Sequence, residues 1–290
     1  MAGQDMARGV YAWSGSTHAI QEVHSMTYKL IVLEKSEGIA TITLNRPHKL
    51  NPMNEEILGE MADAINGINE DDAIKVIIIT GAGRAFSAGR DIDAELATFE
   101  PRQGRPRRAA RLEPVSEWTG SLRKLLYKPT IGAVNGIAVG GGLALALLCD
   151  IIVASEKAQF GAMFVRRGMP AVDGVTYFLP RIVGVAKACE MLLTGELIDA
   201  HEAYRLGLVN KVVPHDDVMR TAREYAAKIA SGASVAIELT KMAIYRGLDS
   251  NLQSQLGYET WAWGVAHETQ DAREGLKAFV ERREAQFKGK

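Results

Sequence analysis

The hydrophobic and polar positions in the first part of the chain follow strand and helix patterns in turn. Residues 28–33 and 39–44 are rich in β-branched side chains and flank a Glu-Gly pair, which predicts a β-hairpin. Asn54 then precedes apolar residues at helical spacing, which predicts a capped helix. These apolar residues are Ile57, Leu58, Met61, Ala64, Ile65 and Ile68. Residues 75–80 are an apolar run that predicts a buried strand before a glycine turn.

A second cycle in the same order follows. The pattern predicts a helix at 116–127, a strand at 130–134, a glycine turn, a short helix and a strand at 150–154. Strands that alternate with helices imply an α/β core. From residue 185 onward the pattern is helical apart from a strand-like segment at 208–213. It predicts amphipathic helices at 217–230, 234–245, 252–267 and 271–287.

The third of these amphipathic stretches carries large side chains on one face. The residues that share this face are Leu252, Leu256, Glu259, Trp263 and Ala266. Helix packing, within the chain or between subunits, is the predicted use of Trp261 and Trp263, rather than a ligand cage. We expect a flexible leader at residues 1–26, a core at 27–205 and a helical region at 206–290.

Composition and charge narrow the range of functions. The chain has 290 residues, with 34 basic and 35 acidic side chains and a formal net charge of −1. This balance gives no charge pattern for binding nucleic acid or an anionic membrane over the whole surface. The only cysteines, Cys149 and Cys189, lie in apolar stretches, which argues against a disulfide scaffold or a cysteine metal cluster and indicates a reducing compartment.

Two segments invite alternative interpretations. Residues 131–149 are apolar except for Asn135, but their glycines interrupt any continuous helix, so we expect a strand, a turn and a helix rather than a membrane span. The polar stretch 94–114 predicts a surface loop, with a contact site for phosphate groups as the alternative. Its arginines are Arg102, Arg105, Arg107, Arg108 and Arg111.

Seven of the 28 glycines cluster in two turns, each between a buried strand and the start of a helix. The first glycine turn spans residues 81–92 and the second spans residues 133–144. Glycine lets a ligand approach the main chain closely, and N–H groups at a helix start carry partial positive charge. One such turn could bind a phosphate or be only a tight corner. Two turns could converge on a single oxyanion.

Several familiar site motifs are missing from the sequence. No Gly-x-Gly-x-x-Gly opens the helix after the first strand, and no Gly-Lys-Ser/Thr occurs, which disfavours dinucleotide and P-loop sites. Ser87 lacks the strand-elbow spacing of a serine hydrolase. The histidines form no His-x-x-x-His pair, so we expect no metal.

Motifs along the chain resemble the enoyl-CoA hydratase/isomerase (crotonase) superfamily. Near the N-terminus these are Leu44-Asn45-Arg46-Pro47 with Leu50-Asn51, and residues 85–92. Next come Ala133-Val134-Asn135-Gly136, Gly140-Gly141-Gly142 and Cys149-Asp150-Ile151. The likeness continues through Leu179-Pro180-Arg181, Thr194-Gly195, Ala200 to Ala203, Gly207-Leu208-Val209, Glu274-Gly275, Ala278-Phe279 and Arg282-Arg283. It spans residues 28–288, in order and at family spacing.

The resemblance implies a fold and a substrate class. The fold would be α/β, a crotonase-like spiral of ββα repeats with a C-terminal helical layer that makes trimers. The substrate would be an acyl-CoA thioester, with coenzyme A as part of the substrate and no separate cofactor. We therefore expect a cytoplasmic homotrimer or dimer of trimers that binds neither membrane nor nucleic acid.

The resemblance also implies roles for individual residues. The backbone N–H groups of Arg90 and Gly141 would form an oxyanion hole for the thioester carbonyl, and the Arg90 side chain would be available to the coenzyme phosphates. Removing one donor from such a hole costs about 3 to 4 kcal/mol of transition-state stabilisation. The residues expected along the coenzyme A path are Leu50, Ala88, Asp91, Ile92, Phe279 and Arg282.

The chain departs from the hydratases of this superfamily at two positions. Where they carry the two glutamates that hold the attacking water, this chain has Ala144 and Phe164, and neither can transfer a proton. Some isomerases use an aspartate in the loop before the Leu-Pro-Arg helix. In this chain Asp173 is the only carboxylate in that loop, one position later. It is predicted either as a general base or as the N-cap of the following helix.

Other residues are further candidates for the acid or base. Glu117, in the helix that roofs the pocket in this superfamily, is a second candidate. Glu113 and Tyr177 are weaker ones, since surface placement or core packing explains each.

Three functions remain open from the sequence. The favoured one is double-bond isomerisation of an enoyl-CoA, with Asp173 and Glu117 as the proton carriers. The alternative is an enoyl-CoA hydratase or an acyl-CoA thioester or C–C hydrolase that holds water by other groups. The third is a non-catalytic member that binds acyl-CoA or RNA, suggested by the arginines of residues 94–114.

Overall fold

The computed structural model describes residues 28–98 and 122–290. Its strands and helices, in chain order, are β1 (Ile31–Ser36), β2 (Ile39–Leu44), α1 (Glu55–Asn69), β3 (Val76–Gly81), β4 (Ala85–Ser87), α2 (Ile92–Thr98), β5 (Thr130–Val134), β6 (Ile137–Val139), α3 (Gly141–Leu147), β7 (Ile151–Ser155), β8 (Gln159–Gly161), α4 (Val175–Val183), α5 (Val185–Thr194), β9 (Leu197–Asp199), α6 (Ala200–Arg205), β10 (Lys211–Val213), α7 (Val218–Ala230), α8 (Ser234–Gly247), α9 (Leu252–His267) and α10 (Gln270–Glu281). The predicted leader, the arginines from Arg102 to Arg111, Glu113 and Glu117 lie outside the described residues.

Two sheets run side by side through the core. The larger has the order β1-β2-β3-β5-β7-β10, with an antiparallel β1–β2 hairpin and parallel pairing from β2 onward. The smaller has the order β4-β6-β8-β9, and only β9 is antiparallel to its neighbour. The pairs β3–β4, β5–β6 and β7–β8 each give one strand to each sheet and are followed by a helix. The chain therefore winds as a spiral of ββα repeats, which confirms the predicted α/β fold.

The predicted hairpin, the capped helix and the strands of the larger sheet are confirmed. The side chain of Asn54 accepts the N–H of Ile57 at the start of α1, as the cap prediction requires. The strands of the smaller sheet were not predicted, because they have three residues each and lie beside turns. A run of that length is too short to show a periodic pattern.

Strand β3 explains why its sequence is continuously apolar. Ile77 and Ile79 belong to the main core, which α1 also lines. Val76 and Ile78 point to the opposite face, where they pack with residues of α7. Because both faces of this parallel strand are covered, alternation between polar and apolar positions is absent. The apolar segment 131–149 contains the expected strand β5 and helix α3, and the predicted turn between them also holds the short strand β6.

The last helix is shorter than its predicted range. Helix α10 ends at Glu281, because Arg282 has φ 54° and takes the left-handed conformation of a helix end. Beyond it, Arg283 donates to both carboxylate oxygens of Glu274, at 2.6 and 2.9 Å, and so turns the chain back along the helix. Asp271 then accepts the N–H groups of residues 288 and 289. Within residues 28–98 and 122–290, no helix has both the length and the apolar character needed to cross a membrane.

Asp150 joins the C-terminal helices to the spiral. Its carboxylate accepts the N–H of Thr130 at 2.7 Å, the hydroxyl of Tyr245 at 2.8 Å and Nζ of Lys241 at 2.7 Å. Lys241 is buried, which lowers its pKa even though Asp150 acts in the opposite direction. The guanidinium of Arg123 stacks on the Tyr245 ring. Helix α8 is thus held to β5 by a buried ion pair inside a hydrogen-bond network.

Removing one partner of this pair tests its contribution. We expect Lys241→Met to lower the free energy of unfolding by about 3 kcal/mol, because the Asp150 carboxylate, only 18% exposed, then loses its main cation. Urea unfolding of wild type and variant measures the difference. The matched control is Lys277→Met, because the 3.8 Å pair between Lys277 and Glu281 is exposed and its loss changes stability little. Equal stability of the two variants would contradict the role of the Asp150 network.

Candidate functional site

The two glycine turns are neighbours in the structure. Strand β4 lies within the first turn and pairs in parallel with β6 of the second, with Ala85 opposite Ile137 and Ser87 opposite Ala138. Asn135, in the second turn, donates two hydrogen bonds of 2.8 Å to carbonyl groups of Gly81 and Gly83. The fold therefore brings together two segments that are about fifty residues apart in the sequence.

Asn51 fixes the shape of the first turn through hydrogen bonds of its side chain to the backbone. It is fully buried, and its side chain donates to the carbonyls of Ala82 and Ala85 and accepts the N–H of Arg46. Its own carbonyl accepts the Ser87 hydroxyl at 2.7 Å, and that hydroxyl accepts the N–H of Gly89 at 3.1 Å. All these groups are satisfied, so the network defines one conformation of the turn.

A buried ion pair closes the same segment. Nη2 of Arg46 lies 2.6 Å from Oδ2 of Asp91, and the two side chains are only 13% and 6% exposed. Burial alone acts to raise the pKa of Asp91, but the hydrogen bond and charge of Arg46, with the Ala94 N–H, outweigh it and leave the pKa lowered. The carboxylate of Asp91 is therefore engaged by Arg46. Its place beside the coenzyme A path stays a prediction.

Arg90, a predicted oxyanion-hole donor, lies in a short parallel bridge with Met53. Two hydrogen bonds form this bridge. The Met53 N–H donates to the Gly89 carbonyl at 2.7 Å, and the Asp91 N–H donates to the Met53 carbonyl at 2.8 Å. In such a bridge the N–H of the central residue points to the other side of the strand. The Arg90 side chain lies beside α2, with Nη1 3.4 Å from Oε1 of Glu95.

The second predicted donor, Gly141, lies directly against this strand. A Cβ built on Gly141 would be 3.7 Å from the backbone nitrogen of Arg90, and one built on Gly89 would be 3.0 Å from the nitrogen of Gly141. Gly141 is also the first residue of α3, where N–H groups have no partner within the helix. The structure thus brings the two predicted donors together at the contact between the turns.

This approach depends on glycine at two positions. Gly89 has φ 87°, and a Cβ there would lie 2.6 Å from the carbonyl oxygen of Val139. A Cβ on Gly142 would overlap the carbonyl of Ser87. A larger residue at either position would push the two turns apart.

The two positions that the resemblance predicts to differ from the hydratases are apolar and buried. Ala144 lies in α3 and is 1% exposed, and Phe164 is 7% exposed. Both belong to the main hydrophobic core. Neither position therefore offers a group that could hold water or carry a proton.

Asp173 lies in the loop between β8 and α4. This loop begins beside the second turn, because the Gly161 carbonyl accepts the N–H of Gly140 at 2.9 Å, and α4 packs against α3. Oδ2 of Asp173 is buried. The N-cap alternative is wrong: Asp173 and Gly174 have φ 59° and 79°, and this tight corner leaves Gly174 as the cap of α4.

The remaining candidates have separate locations. Ala88 donates its N–H to the carbonyl of Leu50 at 2.8 Å, and Ile92 begins α2, so both lie beside the first turn. Phe279 is 84% exposed on α10 and is not packed against the turns of its own chain. Tyr177 donates its hydroxyl to Asp249 at 2.7 Å near the surface, which fits its weaker ranking.

Sequence reasoning missed the residues that support the site. Asn51 and Arg46 were recognised only as parts of a motif, and Met53 and Glu95 were not singled out. A polar side chain in a short segment between a strand and a helix gives no periodic signal of burial. Glu95 likewise has no local signal, because Arg90 lies five residues before it and outside helix α2.

The ion pair below the first turn predicts an acid-sensitive contribution to stability. At neutral pH we expect Asp91→Asn to cost about 3 kcal/mol, because Arg46 is then left buried without a counterion. Because folding lowers the pKa of Asp91, the ion pair stabilises the wild-type protein fully at pH values above 3.8, the ordinary carboxyl pKa. This stabilisation is lost as the pH falls through the pKa that Asp91 has in the folded protein. The difference in free energy of unfolding between wild type and Asp91→Asn, measured with urea, should therefore become smaller in acid.

Asp93→Asn is the matched control for this experiment. Asp93 pairs with Lys49 at 2.9 Å, but its side chain is 79% exposed. Its variant should stay close to wild type at both pH values. If the difference in free energy of unfolding between wild type and Asp91→Asn did not change with pH, the stabilising role of the Arg46–Asp91 ion pair would be contradicted.

Comparison with known proteins identifies the family. The model of the enoyl-CoA hydratase/isomerase family matches residues 34–290. A crotonyl-CoA hydratase of Syntrophomonas wolfei is 37% identical over 90% of this chain and 99% of that protein. A short-chain-enoyl-CoA hydratase of Clostridium acetobutylicum is 40% identical over 87% of this chain and 95% of that protein.

Other comparisons agree with this result. An (E)-benzylidenesuccinyl-CoA hydratase of Thauera aromatica is 39% identical over 89% of this chain and 99% of that protein. The crystal structure of an enoyl-CoA hydratase from Bacillus anthracis superposes with a TM-score of 0.80 and 34% identity, over 90% of this chain and all of the other. The chain belongs to the enoyl-CoA hydratase/isomerase family.

Proposed function

We propose that this chain binds an acyl-CoA thioester and stabilises its enolate on the backbone N–H groups of Arg90 and Gly141. The observation that carries the proposal is the contact between the two turns, which sets Gly141 beside the Arg90 nitrogen. Two fixed donors in a site shielded from water stabilise a developing oxyanion. The relatives named as hydratases of CoA thioesters support the substrate class.

The first candidate reaction is a shift of the double bond. Asp173 would take a proton from carbon two of a 3-enoyl-CoA, and the electron pair would delocalise onto the thioester oxygen between the two donors. The same carboxyl would return the proton to carbon four and leave the 2-enoyl-CoA. The buried apolar side chains of Ala144 and Phe164 support this reaction over hydration, because a proton shift needs no bound water.

Hydration is the second candidate because of the relatives. Proteins 37–40% identical to this chain over most of its length are named as hydratases. Such a reaction here would need water held by groups other than side chains at positions 144 and 164. Asp173 would then deliver or accept the proton at carbon two.

Product mass separates the two reactions. We expect purified protein to interconvert 2-enoyl-CoA and 3-enoyl-CoA without change of mass, whereas hydration adds the mass of one water. Asp173→Asn should lower kcat by about 10² to 10⁴, because its amide cannot accept the proton. The readout is mass spectrometry with chromatographic separation of the isomers.

Asp216→Asn is the control for this substitution, since Asp216 is exposed and lies in the segment between β10 and α7. It should keep the wild-type rate. An unchanged rate for Asp173→Asn would exclude Asp173 as the proton carrier while leaving the oxyanion hole in place. Absence of any change in either substrate would contradict the proposed function.

We also propose that the chain assembles as a trimer through its C-terminal helices. These helices expose many large apolar side chains: Ile244, Leu252, Leu256, Trp261, Trp263, Leu276, Phe279 and Val280. Helix α9 packs on α8 but has no buried residue of its own. A cavity of about 960 Å³ lies among α8, α9 and α10. Apolar area of this extent in a single chain favours a protein partner, here a second copy.

A charge on the exposed face tests the assembly. Trp263 is 73% exposed, so Trp263→Asp should leave the fold intact and reduce the trimer to monomers, because a buried unpaired carboxylate opposes association. Light scattering after size-exclusion chromatography measures the mass. Leu193→Asp, at a site 75% exposed on α5, is the control and should keep the wild-type mass. A Trp263→Asp variant with the mass of wild type would contradict this interface.

A further inference from the structure

We propose that Met53 is a positioning residue that sets the distance between the two oxyanion-hole donors. The proposal rests on the proposed function, because it concerns the N–H groups of Arg90 and Gly141. Met53 lies outside both glycine turns, in the segment between β2 and α1. It touches the first turn through its main chain and the second through its side chain.

The main chain of Met53 fixes the peptide groups around the first donor. Its N–H donates to the Gly89 carbonyl at 2.7 Å, on one side of Arg90, and its carbonyl accepts the Asp91 N–H at 2.8 Å, on the other. These two bonds determine how the strand is rotated about its own axis. They therefore determine where the Arg90 N–H points.

The side chain of Met53 reaches the second donor. It is 1% exposed, and its terminal methyl carbon Cε is 3.2 Å from the position that a Cβ on Gly141 would occupy. No side chain exists at Gly141, so the methyl group of Met53 packs next to the glycine backbone. This contact limits how closely the start of α3 can approach the strand.

The length of the methionine side chain matters for this contact. Methionine is unbranched and fills irregular gaps, whereas leucine has a similar volume but ends one atom earlier. Shortening the side chain removes the spacer between the turns while leaving the main-chain bonds of residue 53 possible. A misplacement of about 1 Å at a catalytic group can lower a rate by about 10²-fold.

The absorption of a bound conjugated thioester reports the state of the hole separately from the rate of turnover. When two N–H groups polarise the carbonyl of bound cinnamoyl-CoA, its absorption moves to longer wavelength. We expect this shift in wild type and a clearly smaller one in Met53→Ala. With enoyl-CoA substrate, the same variant should lose roughly 10- to 100-fold in kcat with little change in KM, since binding of the coenzyme part is retained.

Met61→Ala is the matched control. Met61 is also fully buried, in the same core, but lies on α1 and not in the bridge with Arg90. Both alanine variants remove the same atoms from the core, and thermal unfolding checks their stability. Met61→Ala should keep the absorption shift and the kcat of wild type. Met53→Leu keeps the core filled, so it gives a folded variant with an intermediate shift if Met53→Ala does not fold.

The outcomes separate this inference from the proposed function. The role of Met53 would be overturned if the absorption shift were equal in wild type, Met53→Leu and Met53→Ala. It would also be overturned if Met53→Ala and Met61→Ala lost the same absorption shift and kcat. Either result would leave the oxyanion hole intact. Wild-type protein that binds cinnamoyl-CoA without any shift would instead contradict the oxyanion hole itself, and the inference with it.

Discussion

The close approach of two backbone segments is the constraint on which the rest of the site depends. At Gly142 the second turn lies against the Ser87 carbonyl, and at Gly89 the first turn lies against the Val139 carbonyl. No side chain fits at these points, so the backbones themselves form the contact. Donors carried by main-chain atoms keep their direction when side chains change rotamer. A site built in this way is preorganised for charge that develops on a bound carbonyl oxygen.

The polar groups beneath the turns make this arrangement stable. The Asn51 side chain makes three hydrogen bonds to backbone groups, and the Arg46 guanidinium is paired with Asp91 and also donates to the Pro52 carbonyl. Buried polar groups that are fully satisfied specify a single conformation, whereas an apolar filling would not distinguish between several. The nearly neutral net charge of the chain fits this picture, since the charges that shape the site are paired locally.

Long periodic segments could be predicted from the sequence, and short or locally determined ones could not. The apolar face of α1 follows from the spacing of its residues, and the buried strand β3 follows from its composition. Tertiary packing reinforces both patterns. The three-residue strands of the smaller sheet have no such pattern. The end of α10 depends on the left-handed backbone of Arg282, which an arginine does not predict, and the contact of Arg283 with Glu274 lies beyond it.

The site divides in the same way between what the sequence predicts and what it leaves open. The glycine clusters mark backbone approach, because only glycine tolerates it, and this places Arg90 and Gly141 together. An oxyanion hole at this place, as proposed, would select reactions that pass through an enolate, and the acid or base beside it would select the product. Ala144 and Phe164 are buried and cannot transfer a proton. The proposed isomerisation therefore relies on a loop residue, Asp173, as the proton carrier. A loop residue is set by a few backbone angles, so the same scaffold can change its reaction without changing its core.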